Sequence, residues 1–148
     1  MAIVIGSNFG YTVLAAVGIA MQCVITAMSV GAARKKYNVQ YPDNGGGRYS
    51  DKLSDEDWEA FNNIKRASDN YLEQVGVVLM MLTMAGLYHP KLAASLGASY
   101  IVGRFVYTRG YTSAGFKGRM YGAPIMSLSL ISLVITATYS AFTTTVLA

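Results

Sequence analysis

The chain has 148 residues, 53% of them hydrophobic and 14% charged, with a net charge of +4 at pH 7. That length reads as a single domain over residues 1–148, and so few charges, gathered in a few places, are the balance of a membrane protein. One histidine and one cysteine exclude a three- or four-ligand zinc site, a Ser-His-Asp triad and a disulfide framework.

Residues 1–33 carry no charge. A first span is predicted at about 9–33, longer than the roughly 20 residues that cross a bilayer. The basic cluster follows this apolar run, the reverse of a secretory signal, so a retained span is expected. Gly18, Ala20, Thr26, Ser29 and Gly31 make its surface small, which suits close helix packing in lipid, and Cys23 reads as packing. It ends at ARKKYNVQYP, residues 33–42. Lys36 reads as an interfacial anchor. Arg34, about one turn beyond the last apolar residues, is within reach of a neighbouring helix and is a candidate ligand contact.

The following DNGGGRYSDK, residues 43–52, reads as a turn-forming, mobile loop. No Gly-Lys-Ser/Thr follows its glycines and no strand precedes them, which excludes a phosphate loop. Ser54 with Asp57 three residues on predicts a helix N-terminus, and Trp58 an interfacial anchor. A second span is predicted at about 60–88, where the polar FNNIKRASDNYLE runs into VGVVLMMLTMAGLY. Arg66, Asn70 and Glu73 fall at i, i+4 and i+7 and share one helical face. Facing lipid they would be costly, so they must meet protein, water or a polar ligand.

His89-Pro90-Lys91 breaks the chain, and a third span is predicted at about 91–111. It carries Arg104, Tyr107 and Tyr111 at i, i+3 and i+7, on the same membrane side as the Arg66–Glu73 stripe. Residues 120–148 are again uncharged, and a fourth span is predicted at about 121–146. The fold class is therefore all-α: an integral membrane bundle of four helices. Eleven of the twelve Lys and Arg lie in or beside the first and third connections, with Lys91 the exception. Those connections, loops 1 and 3, are expected to face the cytosol. The positive charge is explained by topology, and no nucleic-acid partner is expected.

The two polar faces offer cations, an amide, phenols and a carboxylate, a set suited to a small zwitterionic, multiply anionic ligand. Glutathione is such a ligand. Its thiol, with an ordinary pKa of about 8.5, becomes nucleophilic near neutrality where a cation stabilises the thiolate. An arginine serves because it keeps its own proton.

The strings ARKKYNVQYP, FNNIKRASDNYLE, GLYHPKLAASLG, YIVGRFVYTRGY and KGR resemble the MAPEG family of membrane glutathione and eicosanoid enzymes, and within it the type-3 microsomal glutathione transferases. The resemblance implies a homotrimer that binds glutathione between subunits near the cytosolic side. It implies that Arg34 and Arg66 hold carboxylates, Asn70 and Glu73 the peptide and amino groups, and Arg104, Tyr107 and Tyr111 the remaining face. Arg119 would be the catalytic, thiolate-stabilising arginine, with no metal. Its second substrate would be a lipophilic electrophile or a lipid hydroperoxide reached from membrane lipid. The endoplasmic reticulum is the expected membrane, with a mitochondrial membrane as the other candidate. DNGGGR after Pro42, Ser68 and Gln74 depart from the family pattern without removing a required charge. A non-catalytic lipid-binding member and a structural subunit of a larger membrane complex remain as alternatives.

Overall fold

The computed structural model describes residues 5–146. The described residues hold four long α-helices: α1 (Phe9–Tyr37), α2 (Asp55–Tyr88), α3 (Pro90–Gly118) and α4 (Ala123–Val146). Single 3₁₀ turns occupy Ser50–Lys52 and Arg119–Tyr121. At 1.5 Å per residue α2 is about 51 Å long, well over the ~30 Å of a hydrocarbon core, so its polar first turns project beyond it.

The second helix begins at Asp55, where the sequence places its N-terminus, because Ser54 caps it: the Ser54 hydroxyl accepts from the Asp57 N–H at 3.2 Å. Asp55, Glu56 and Asp57 fill the first turn, where carboxylates meet the positive end of the helix dipole. α1 runs four residues past the predicted span and stops at Asn38, whose left-handed backbone (φ 53°) turns the following Val39 N–H back to the Arg34 carbonyl at 3.0 Å. α3 outlasts its predicted end at 111 by seven residues. His89 alone separates α2 from α3, with Pro90 at the first helical position.

Three of the four helices, α1, α2 and α4, are long and apolar enough to cross a membrane. Arg104, Arg109 and Lys117 keep α3 below that level of apolarity. α1 packs on α2 and α3, and α4 packs on α2 and α3. The core between them holds Ile19, Cys23, Tyr71, Leu82, Tyr100, Met126 and Leu133. Leu14, Met28, Leu128 and Ile135 point outwards. Small residues set the spacing, as the sequence of the first span suggests. A Cβ at Gly18 would meet Ile101 at 2.9 Å, and one at Gly97 would meet Ala15 at 3.0 Å and Leu82 at 3.1 Å. The helices also exchange buried polar contacts. The Tyr71 hydroxyl lies 3.0 Å from the Ile19 carbonyl and 2.8 Å from Gln22 Oε1, and Gln22 Nε2 donates to the Ile101 carbonyl at 3.0 Å.

The loop that reads as mobile in the sequence is closed around Asp43, which is buried. Its carboxylate accepts from the backbone N–H groups of Gly45, Gly47, Tyr49 and Ser50 and from the Ser50 hydroxyl. Burial raises the Asp43 pKa, and the donors of Ser50, Gly45 and Tyr49 outweigh it, holding the carboxyl well below the usual carboxylate range.

Candidate functional site

The polar stripe of α2 and that of α3 meet. Arg66 and Glu73 lie on the outer side of α2, with Nη1 3.9 Å from Oε1 and side chains 57% and 58% exposed. Their neighbour Lys65 pairs with Asp69. Asn70, half-buried on the same face, accepts from Arg104 Nη1 at 2.8 Å through its Oδ1. This hydrogen bond ties the two predicted sets together across the α2–α3 pair.

Arg104 itself is fully buried, at 0% exposure. Its Nη2 donates to the Ala67 carbonyl at 3.1 Å, and its guanidinium lies 4.1 Å from the Tyr71 ring centre and 4.9 Å from that of Tyr107. It stands behind Asn70 and presents no surface of its own. Tyr107 is buried, Tyr111 is half-buried, and their ring centres are 5.8 Å apart. Gln74, which departs from the family pattern, accepts from the Tyr100 hydroxyl at 3.4 Å.

Arg119 reaches this region by a reversal of the chain. Ala114 (φ −136°, ψ 19°) and Gly115 (φ 60°, ψ −150°) break α3, and the second conformation is open essentially to glycine alone. Beyond the break the chain folds back onto α3. A Cβ on Gly118 would lie under 3.0 Å from the Gly110 backbone, and one on Gly122 equally close to the backbone of Gly103 and Tyr107. Arg119 therefore sits between two residues that touch the 103–110 stretch of α3. It is half-buried, its guanidinium 5.2 Å from the Phe116 ring centre.

Arg34 is held elsewhere. It is 7% exposed, donates to the Val39 carbonyl at 3.3 Å and to Asn44 Oδ1 at 2.8 Å, and stacks 4.1 Å from the Tyr41 ring centre. It lines a cavity of about 770 Å³ together with Met28, Gly31, Lys35 and Asn38. Within one chain, then, Arg66, Asn70, Glu73, Arg104, Tyr107 and Tyr111 form one assembly and Arg34 another. Asn44 and Tyr41, which fix Arg34, were not singled out by the sequence. The Asp-Asn-Gly run announces a turn there, but a turn does not disclose which arginine it returns to. Among the described residues no group of three or more His, Cys, Asp and Glu side chains is placed to hold a metal.

Four long helices, three of them of bilayer-crossing length and apolarity, with an arginine, an amide and tyrosines joined across two of them, make an integral membrane protein with a polar contact between α2 and α3. The chain belongs to the MAPEG family, whose model matches residues 12–139. It is 35% identical to the human microsomal glutathione S-transferase 2 over 124 residues, 82% of this chain and 76% of that protein. The mouse protein of the same name is 35% identical over 83% of this chain and 77% of its own length. The Synechocystis protein sll1147 is 36% identical over 81% of this chain and 80% of its own. Those relatives and the family support a membrane function of the glutathione-transferase type.

Proposed function

We propose that the protein is a membrane glutathione transferase and peroxidase that stabilises the glutathione thiolate and delivers it to lipophilic electrophiles or lipid hydroperoxides. The observation that carries this reading is the Arg104–Asn70 hydrogen bond. It makes a single polar face of the α2 residues Arg66, Asn70 and Glu73 and the α3 residues Tyr107 and Tyr111. Arg66 is the carboxylate holder of that face, Asn70 meets a peptide group and Glu73 the ammonium. The folded-back turn after Gly115 supports Arg119 as the thiolate-stabilising group, since it returns the backbone on either side of Arg119 to the 103–110 stretch of α3, which carries Tyr107. The eight-residue step from Tyr111 to Arg119 supports the type-3 branch, although the named relatives carry the type-2 designation.

In conjugation the thiol proton leaves to water, and the sulfur, held as thiolate beside Arg119, forms the new C–S bond as the electrophilic carbon releases its leaving group, or as its ring C–O or C=C π bond opens and the displaced electron pair takes a proton from water. In hydroperoxide reduction the same sulfur takes the terminal oxygen, giving the alcohol and a sulfenic acid that a second glutathione converts to the disulfide and water. α3 is the remaining span, the third in chain order, with Arg104 donating inside the bundle to Asn70 Oδ1 and the Ala67 carbonyl. Because Arg34 lies in a separate cavity of the same chain, its carboxylate-holding role calls for a neighbouring subunit, as a homotrimer would supply. Loops 1 and 3 face the cytosol, and the endoplasmic reticulum is the membrane we assign.

The test is equilibrium glutathione binding to the detergent-purified protein, with thiolate absorbance in the ultraviolet and subunit stoichiometry measured together. A trimer that binds glutathione and forms thiolate is expected, and Arg119→Leu should remove conjugation while leaving most of the binding. Absence of glutathione binding by the native protein overturns the reading and favours a non-catalytic lipid-binding member. Unchanged activity of Arg119→Leu refutes the role of that residue.

A further inference from the structure

Arg104 is the largest fully buried side chain of the molecule, and among the described residues no carboxylate lies within 4.0 Å of it. A guanidinium carries five N–H donors and no acceptor. One donor goes to Asn70 Oδ1 and one to the Ala67 carbonyl, a third approaches Met126 Sδ at 3.9 Å, and Nε has no partner. The ring faces of Tyr71 and Tyr107 shield the cation further. So costly a group, wholly enclosed, cannot touch a ligand, yet it is bonded to a residue that can.

The oxygen and nitrogen of an amide are distinguished only by what they bond to. Opposite a guanidinium the choice is forced: the atom facing Arg104 must be the acceptor, Oδ1. Asn70 Nδ2 then points away from Arg104, has no partner among the described residues, and stands on the half-exposed side of α2 between the turns of Arg66 and Glu73.

We infer that Arg104 is a positioning residue that locks the Asn70 amide with its two N–H donors outward, so that this point of the site accepts only a carbonyl or carboxylate oxygen of the ligand. The inference rests on the proposed glutathione site and makes it more specific. It turns Asn70 from an ambivalent group, able to give or take a hydrogen bond, into a one-way donor flanked by a cation and a carboxylate. The order across the face is then cation, neutral donor, anion, which selects an acceptor between the ligand's carboxylate and its ammonium. A ligand offering an amide N–H or an ammonium at that point would leave two donors opposed, with neither satisfied.

The experiment compares the native protein with Asn70→Asp, Arg104→Lys and Arg104→Gln, recording the glutathione Kd and the thermal midpoint of each in detergent. Asn70→Asp keeps an acceptor for Arg104 but replaces the outward N–H groups by an oxygen. Its midpoint should be no lower than the native value, while its Kd rises about 10-fold to 100-fold, the range for losing a good hydrogen bond and opposing two acceptors. Lys, like Arg, can only donate, whereas Gln can also accept and so lets the amide turn over. Arg104→Lys should therefore retain tighter glutathione binding than Arg104→Gln, a difference that a purely structural role for Arg104 does not produce once the midpoints are matched by choice of temperature. If the native protein binds no glutathione, the functional reading fails and this inference with it. If the native protein binds and Asn70→Asp binds within twofold of it, or the Lys and Gln variants bind alike, the inference alone is overturned.

Discussion

The reversal after α3 offers a sharp test, because it depends on two backbones meeting with no side chain between them. In Gly118→Ala the added Cβ would come under 3.0 Å from the carbonyl group of Gly110, a separation that real Cβ atoms do not adopt. The obstacle is backbone on a helix and cannot rotate aside, so the turn must lift from α3 by about 1 Å, with the ~1–3 kcal/mol typical of overpacking. For a chain of this size that corresponds to a fall of about 2–12 °C in thermal midpoint. Arg119 follows directly and moves with the turn, and a misplacement of about 1 Å at a reacting group costs on the order of 100-fold in rate. Differential scanning fluorimetry in detergent reads the first effect, and thiolate absorbance with glutathione bound reads the second. Gly46→Ala, where a Cβ meets nothing within 4 Å, is the control and should leave both unchanged. A Gly118→Ala protein with the native midpoint and the native thiolate signal would refute the close approach and the positioning of Arg119 that rests on it.

Tyr71→Phe removes a fully buried hydroxyl whose single proton lies within reach of the Ile19 carbonyl and Gln22 Oε1, and should cost about 1–3 kcal/mol as the acceptor it serves loses its donor; a thermal midpoint equal to the native one would contradict it. Glu73→Gln breaks only an exposed 3.9 Å pair with Arg66, so its stability effect should stay below about 1 kcal/mol while the glutathione Kd rises, and a change in stability without a change in Kd would assign Glu73 to structure. Asp43 has its pKa depressed by the loop donors, so its contribution to stability is fully present above its unfolded pKa of about 3.9 and is lost as pH falls below that value. Limited proteolysis within residues 43–52 should accelerate on acidification below about pH 4, and in Asp43→Ala it should be fast already at pH 7. Equal cleavage of the native and Asp43→Ala proteins at pH 7 would show that the carboxylate does not close the loop.

Charge and helical spacing disclosed the elements well and their facing poorly. The uncharged runs and the His89-Pro90 break located the four helices, and Ser54 with Asp57 announced the start of the second at Asp55. Spacing at i and i+3 correctly put Arg104 and Tyr107 on one face, and they stack at 4.9 Å. Periodicity states which residues share a face and is silent on where that face points; the structure turns the Arg104 side chain inwards, against Asn70, Tyr71 and Tyr107. The break at Gly115 had no signature either, because a glycine in a helical pattern is compatible with helix and only its positive φ reveals the turn. Arg34 was legible as a charge at a helix end, while its side-chain acceptor Asn44 lies ten residues downstream, a separation that local rules do not reach.

The buried Arg104 also bears on how the chain enters its membrane. On the four-span reading α3 must carry this cation into the bilayer, and a central arginine opposes insertion of a lone helix by about 2.5–3.5 kcal/mol. The groups that receive it, Asn70 and the Ala67 carbonyl, belong to α2, which is synthesised first and is joined to α3 through His89 alone. A connection that short keeps the two helices antiparallel from the moment α3 emerges, so its arginine can find its acceptors during translocation instead of after it. α2 and α3 should thus partition into lipid as one hairpin, and severing or lengthening the His89 link would lower the yield of inserted protein before it altered anything in the finished molecule.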